Sequence, residues 1–139
     1  VKVGMEAIAA QELLSNENYR PLTTSTDLHC FSVEKMAKSL PEVMAKMLSV
    51  GMSLEDTVAS VTKHPANALR LPDSVWQMNV GDEANLTVWG QKALEPETHE
   101  FTDANKNIWY GTEMLEPKLV YVNKQLFDIA VDNSPIEIL

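Results

Sequence analysis

Apolar residues in the first half of the chain recur every three to four positions, which is the spacing of amphipathic helices. One helix is predicted over residues 2–14. A second helix is predicted to begin at a capping box that opens at Ser39 and to end at Gly51, a residue that suits a helix end. A third begins at the cap Ser53. Its apolar stripe is predicted to consist of Leu54, Val58 and Val61. Residues 1–70 are therefore expected to be mainly helical.

The pattern changes at Leu71-Pro72, where short runs of β-type residues begin, separated by glycine, proline and asparagine. The predicted strands are residues 75–78, 86–89, 107–110, 118–122 and 125–127. Such short, evenly interrupted runs are typical of a small antiparallel module. The tail, residues 132–139, is predicted to be a loop or an edge strand.

Charge divides the chain in the same place. The formal net charge is −9, and residues 71–139 carry most of it, with four basic against twelve acidic side chains. Such a surface repels nucleic acid and anionic lipid, so neither is expected as a partner. No apolar run approaches the roughly 20 residues of a membrane span, and the single cysteine, Cys30, favours a reducing compartment, the cytoplasm. Because the sequence opens on Val1 and not on methionine, a fragment or processed product is expected.

The candidate chemistry concentrates in one short segment. Residues 22–28 are rich in threonine and contain neither lysine nor glutamate, which predicts a short buried strand. Asp27 and His29 stand at its end, where polar side chains face the active site in β/α architectures, and on an extended backbone both lie on one side. The alternative is that Asp27 is a turn or cap residue and His29 an ordinary surface histidine. Phosphate-binding, paired-cysteine and nucleophile-elbow motifs are absent.

Several motifs follow one another in a distinctive order. They are Ser25-Thr26-Asp27-Leu28-His29, Gly51-Met52-Ser53-Leu54-Glu55-Asp56, Thr62 to Leu69, Val80 to Trp89, Phe101-Thr102-Asp103, Gly111 and Leu115 to Val120. This order resembles the C-terminal third of the amidohydrolase superfamily, and most of all its deacetylase group, which is often called dihydroorotase-like. The resemblance extends over residues 3–128.

The resemblance implies a mixed α and β fold. Residues 1–71 would form the last helix-strand-helix units of a β/α (TIM-type) barrel, and residues 72–139 a small antiparallel β-sandwich domain. It also implies that Asp27 ends the last barrel strand, where it binds the metal and accepts a proton from the attacking water. His29 lies where related enzymes contact the substrate. Asn85 stands where the family commonly has aspartate, so the usual charge contact of that position is expected to be lost.

The activity implied is the hydrolysis of an amide or ester bond in a small molecule, by removal of an acetyl group or opening of a cyclic amide. The cofactor implied is zinc or another divalent metal. The family's other metal ligands, including a His-x-His motif, lie upstream of the aspartate strand, and zinc needs about three protein ligands. This chain alone is therefore expected to hold no metal and to be inactive. The alternative function is a non-catalytic module that binds a partner or self-associates through its apolar faces.

Overall fold

The computed structural model describes residues 12, 14–16, 23–29, 38–103, 105–129 and 135–136. Over these residues the fold is mixed α/β, with antiparallel strands in the second half, as predicted. The helices are α1 (Leu40–Ser49), α2 (Leu54–Val61) and α3 (Lys63–Ala68), followed by a 3₁₀ turn at Asp73–Val75. The strands are β1 (Leu86–Ala93), β2 (Glu100–Thr102), β3 (Ile108–Tyr110), β4 (Glu113–Val122), β5 (Gln125–Asp128) and β6 (Pro135–Ile136). In this described part of the chain, no helix is both long and apolar enough to cross a bilayer.

The two longer helices begin at the predicted caps. At the start of α1, the Ser39 hydroxyl accepts the backbone N–H of Glu42 at 3.4 Å, and the Glu42 carboxylate accepts the N–H of Lys38 at 3.3 Å. The Ser39 bond is the first half of a capping box and satisfies an N–H group that has no partner within the helix. The Glu42 carboxylate reaches one residue beyond the N-cap, to Lys38, and not to the N–H of Ser39 as in the standard box. Ser53 caps α2 in the same way with its hydroxyl. Gly51 follows α1 with a φ of 102°, a conformation that glycine adopts without steric cost.

Four strands form the larger sheet in the order β1-β4-β5-β6, and every neighbouring pair is antiparallel. The turn between β4 and β5 consists of Asn123 and Lys124, which have φ values of 51° and 61°. Two positive φ angles in a two-residue loop are what a type I′ hairpin turn requires.

A β-bulge interrupts the pairing of β1 with β4. Val88 pairs with Leu119, but the next residue, Trp89, pairs with Pro117, so Lys118 is the extra residue. Proline has no N–H to donate to a neighbouring strand, and a bulge is one of the few places in a sheet that tolerates it. The bulge allows β4 to continue through the proline.

Strands β2 and β3 form a separate two-stranded sheet whose turn is organised by Asp103. The Asp103 carboxylate accepts the backbone N–H groups of Asn105 and Asn107 and the side-chain amide of Asn107, each at 2.9 Å. Asp103 is buried, and these bonds replace the water that its charge loses on burial.

The hydrophobic core joins the helices to the larger sheet. Met44 and Leu48 of α1 pack with Leu115 of β4, and Leu40 and Val61 lie against this cluster. Residues from the two halves of the chain therefore share one core.

The hairpin of β2 and β3 docks on α1 through polar and aromatic contacts. The Lys46 ammonium donates to the Thr102 carbonyl at 3.0 Å, and the Trp109 indole N–H donates to the Ser49 hydroxyl at 2.9 Å. Phe101 is fully buried, and the Lys46 Nζ lies 5.7 Å from the centre of its ring. Burial lowers the pKa of Lys46, although its Glu42 neighbour, 3.9 Å away, acts in the opposite direction.

The predicted apolar stripe of α2 is wrong at two of its three residues. Val61 packs against the core as predicted, but Leu54 and Val58 are about two-fifths exposed. Thr57 and Ser60 are fully buried instead. The reason is tertiary, because the side of α2 that carries Ser60 contacts the segment that contains Thr24, and hydroxyl groups make that contact.

The predicted strand at residues 75–78 is also wrong. Its first residue closes the 3₁₀ turn instead, and the residues after it pair with no strand. The Asp73 carbonyl accepts the N–H groups of both Trp76 and Gln77, at 3.1 and 2.8 Å. These N–H groups are used within the turn and are not available to a neighbouring strand. The Trp76 ring lies on the helical side, with the Lys63 Nζ 5.0 Å from its centre.

Candidate functional site

The segment that carries the candidate residues is not a strand. The prediction of a strand at residues 22–28 is contradicted over 23–28, which have no strand pairing, while Leu22 lies outside the described residues. A barrel-type strand needs parallel neighbours to bond its N–H and C=O groups, and no strand of the described chain lies beside this segment.

Asp27 adopts a left-handed backbone conformation, with a φ of 44°. Most residues avoid this region, because it brings Cβ close to the following carbonyl, but aspartate tolerates it better than bulky side chains do. At this φ the backbone is not extended, so the two side chains do not share a face in the way that an extended backbone would place them. They meet across the left-handed residue instead.

The structure nevertheless brings Asp27 and His29 together. His29 Nε2 lies 3.9 Å from Asp27 Oδ2, and the two side chains are 45% and 48% exposed. At that exposure, an ion pair contributes about 0–1 kcal/mol to stability, so the fold gains little from the pair. A carboxylate and an imidazole that face each other at a half-exposed position are equipped for proton transfer and for metal or substrate binding.

Residues 23–29 are attached to α2 through Thr24. The Thr24 N–H donates to the Ser60 carbonyl at 3.0 Å, and the hydroxyl groups of Thr24 and Ser60 are hydrogen-bonded to each other, also at 3.0 Å. The sequence analysis does not identify Thr24 or Ser60 as residues of the site. The sequence does contain a signal, since Thr57 and Ser60 are two small hydroxyl residues three positions apart on a helix whose inner face is predicted to be apolar.

The donor chemistry of the site fits a divalent cation in part. Carboxylate oxygen and imidazole nitrogen are ordinary ligands for zinc, and Asp27 and His29 offer one of each. Within residues 12–16, 23–29 and 38–129, apart from the gaps at 13 and 104, no group of three or more His, Cys, Asp or Glu side chains could hold a metal ion. The described residues therefore supply some but not all of a metal site.

Comparisons with known proteins add a second line of observation. The sequence matches the amidohydrolase family over residues 2–132. It is 33% identical over 120 residues to the deacetylase Atu3266 of Agrobacterium fabrum, a match that covers 86% of this chain and 27% of that protein. It is 30% identical over 105 residues to a deacetylase of Brucella anthropi, covering 76% of this chain and 25% of that protein.

Solved structures agree with the sequence relatives. The fold is similar to that of a dihydroorotase, with a TM-score of 0.78 and 27% identity, over 89% of this chain and 32% of that one. It is similar to the same degree to an adenine deaminase, with a TM-score of 0.78 and 25% identity, over 89% of this chain and 33% of that one. The chain thus spans between a quarter and a third of the length of the proteins it matches.

Proposed function

The chain belongs to the amidohydrolase family, and on that premise we propose that it forms the C-terminal part of a metal-dependent hydrolase that cleaves an amide or ester bond in a small molecule. Removal of an acetyl group is the reaction favoured, because two relatives at 33% and 30% identity are described as deacetylases. Opening of a cyclic amide is the second choice, since a dihydroorotase is among the similar structures. In this proposal, residues 1–71 complete a β/α barrel and residues 72–139 form a β-sandwich domain.

The observation that carries the proposal is the carboxylate of Asp27. It is half exposed, is held on a left-handed residue and lies 3.9 Å from the imidazole of His29. Members of this superfamily typically use divalent metals, and Asp27 would be the ligand from this chain, for zinc or another divalent ion. When bound, such an ion lowers the pKa of the attacking water. Its remaining ligands would come from outside the residues that the structure describes.

Asp27 would also act as the proton acceptor. As water attacks the carbonyl carbon, the carboxylate takes one proton from it, and this proton is then passed to the leaving nitrogen or oxygen as the C–N or C–O bond breaks. His29 would contact the substrate beside the same carboxylate, because its imidazole can donate a hydrogen bond to a carbonyl or carboxylate oxygen. The two residues would therefore have separable effects on turnover and on substrate binding.

The test is Asp27→Asn in the complete protein that contains this sequence. The two side chains have nearly the same shape, but an amide cannot accept the proton, so kcat should fall by about 10²–10⁴-fold while the melting temperature changes little. Zinc affinity should fall as well, because a neutral ligand replaces an anion. His29→Asn should mainly raise KM.

Asp73→Asn is the matched control, since it makes the same chemical change in the 3₁₀ turn, and it should leave kcat unchanged. If Asp27→Asn keeps full kcat and loses about 1 kcal/mol of stability, Asp27 is a turn residue and the catalytic assignment fails. The 139-residue chain alone is expected to be inactive, so zinc-dependent turnover by the pure chain would contradict the proposal that ligands from elsewhere are needed.

A second candidate function, self-association of the isolated chain, is favoured by one observation. The stretch after α3 exposes several large apolar side chains, namely Leu69, Val75, Met78 and Val80. Sedimentation of the chain at several concentrations tests this candidate, and the double variant Met78→Ser with Val80→Ser should then reduce any association seen.

A further inference from the structure

The larger sheet enters the hydrophobic core at one end only. Leu115, near the start of β4, is buried in the cluster that it forms with α1, whereas every residue of β4 from 116 to 122 is only partly buried. The other end of the sheet consists of residues 86–89, 117–122 and 125–128, and we call it the distal sheet. None of these residues is buried in the described part of the protein. The distal sheet therefore lies outside the core that α1 covers.

The pairing register places five apolar residues of the distal sheet on one face. Residues that pair directly lie on the same face of an antiparallel sheet, and successive residues of a strand alternate between faces. Val88 pairs with Leu119. Leu86 pairs with Tyr121, which pairs on its other side with Leu126 of β5. These five residues share one face, which we call the outer face.

The outer face is on the side of the sheet away from α1. Leu115 pairs with Gln91, which is three residues from Val88 in β1 and so lies on the opposite face. Leu115 is also the residue of β4 that packs with Met44 and Leu48 of α1. Helix α1 therefore covers the other side of the sheet and leaves Val88 45% exposed.

The sequence of β4 is typical of a strand that is buried on both faces. The run from Leu119 to Val122 is apolar at every position, whereas a strand with one face in water alternates apolar and polar residues. β4 is also a central strand, between β1 and β5. Large contiguous apolar surfaces are rare on soluble proteins and mark sites where another surface packs. We therefore expect the outer face to be covered.

The edge beside the outer face indicates what kind of surface covers it. β1 is the first strand of the sheet, and among the described strands it pairs only with β4. The N–H and C=O groups along its other side can pair with a further strand, which a helix cannot do. Two sheets also pack face to face by interleaving apolar side chains such as those of the outer face. Strands therefore suit both the edge and the face.

Two observations favour the complete protein over a second copy as the source of these strands. The chain spans between a quarter and a third of the length of the proteins it matches, so in a protein of that length most of the polypeptide lies outside it. Residues 71–139 carry four basic against twelve acidic side chains, so two copies that met through this half would repel each other. We propose that strands from the part of the complete protein outside these 139 residues pack on the outer face. The inference goes beyond the proposed function, because it involves neither Asp27 nor a metal.

Photo-cross-linking of the complete protein tests the proposal. Val88 is replaced by p-benzoylphenylalanine, and the product is separated on a denaturing gel and mapped by mass spectrometry. We expect product of monomer mass, in which residue 88 is joined to peptides outside these 139 residues. The matched control places the same residue at Lys92, which lies on the same side of β1 four residues farther along and is exposed. The control should lose most of the cross-linked product.

If the bulky residue prevents folding, thiol labelling still tests the cover, because Val88→Cys is a smaller change. In the native complete protein, Val88→Cys should react with a maleimide at least about 10-fold more slowly than Lys92→Cys, and the two should react at the same rate in urea. Mass spectrometry identifies the labelled peptide, so other cysteines do not interfere. The slow labelling should persist at dilutions where sedimentation shows a monomer.

Three results would overturn the inference. Labelling of Val88→Cys as fast as that of Lys92→Cys would mean that the outer face is open. Cross-linked product of dimer mass, or labelling that becomes fast on dilution, would mean that a second copy covers the face. Cross-links from residue 88 to another part of the 139 residues would mean that this chain covers its own sheet. Neither experiment measures turnover, so a failure of the proposed function would leave both results unchanged.

Discussion

Gly111 is predicted to be a position where a single methyl group destabilises the fold. A Cβ atom built there would lie 2.7 Å from Phe101 Cε2 and 3.2 Å from Leu94 Cδ1. The Phe101 ring has little room to move, because it is fully buried and has the rings of His99 and Trp109 at centroid distances of 5.0 and 5.7 Å. Gly111→Ala must therefore shift either a core ring or the backbone.

The expected cost is that of overpacking a core, about 1–3 kcal/mol in the free energy of unfolding. Gly90→Ala is the matched control in β1. Its added Cβ would lie 2.7 Å from Lys118 Cε, but that atom is near the end of a flexible side chain that can move away. Replacing glycine by alanine also reduces the entropy of the unfolded chain, so Gly90→Ala should be neutral or stabilising by up to about 1 kcal/mol.

Urea unfolding followed by circular dichroism measures both variants. The midpoint should fall for Gly111→Ala at an unchanged m-value and should stay level or rise for Gly90→Ala. Phe101→Leu in the Gly111→Ala background should recover part of the loss, because it makes space for the new methyl group. A Gly111→Ala midpoint equal to that of the wild type, or equal losses at both glycines, would refute the packing argument.

Two further predictions concern buried polar groups. The Thr57 hydroxyl is buried and has no hydrogen-bond partner in the described part of the protein. Thr57→Val should therefore raise the free energy of unfolding by about 1 kcal/mol. A lower melting temperature for the variant would contradict this. Burial lowers the pKa of Lys46, so the unfolded chain holds the Lys46 proton more tightly than the folded chain does. The free energy of unfolding of the wild type should therefore rise relative to that of Lys46→Met as the pH rises towards about 10.4, the ordinary lysine pKa. Urea unfolding of both proteins at pH 7, 9 and 10 checks this, and a difference that does not change with pH would count against it.

The sequence predicts strands well where local signals and pairing agree, and less well where pairing overrides them. The strand predicted at residues 86–89 continues to Ala93, and the one predicted at 118–122 begins at Glu113. Gly90 and Pro117 indicate strand ends when each is considered alone. In the structure, the bulge at Lys118 accommodates Pro117, and Gly90 pairs with Glu116 beside the Lys118 side chain. A bulge depends on two strands at once.

The proximity of the two candidate residues agrees with the sequence, the backbone that carries them does not, and their roles stay a prediction. Asp27 and His29 are close together, as their spacing predicted, but they meet across a left-handed residue and not along a strand. The Ser60 contact could not be read from the sequence, because it joins residues 36 positions apart through hydroxyl groups. His99 shows the same limit, since it lies in an acidic run typical of a solvated loop, yet its ring packs edge-on against Phe101.

The core that Met44 and Leu48 share with Leu115 has a consequence for how the chain folds and how it tolerates cleavage. These contacts close a loop of roughly half the chain. The conformational entropy of that loop must be lost before any packing energy is gained, so the core should form late and slow the folding reaction. A protease that cuts the exposed stretch between Leu69 and Val80 would leave its two products joined through that same core. The nicked protein should therefore stay associated under native conditions and separate only when it is unfolded.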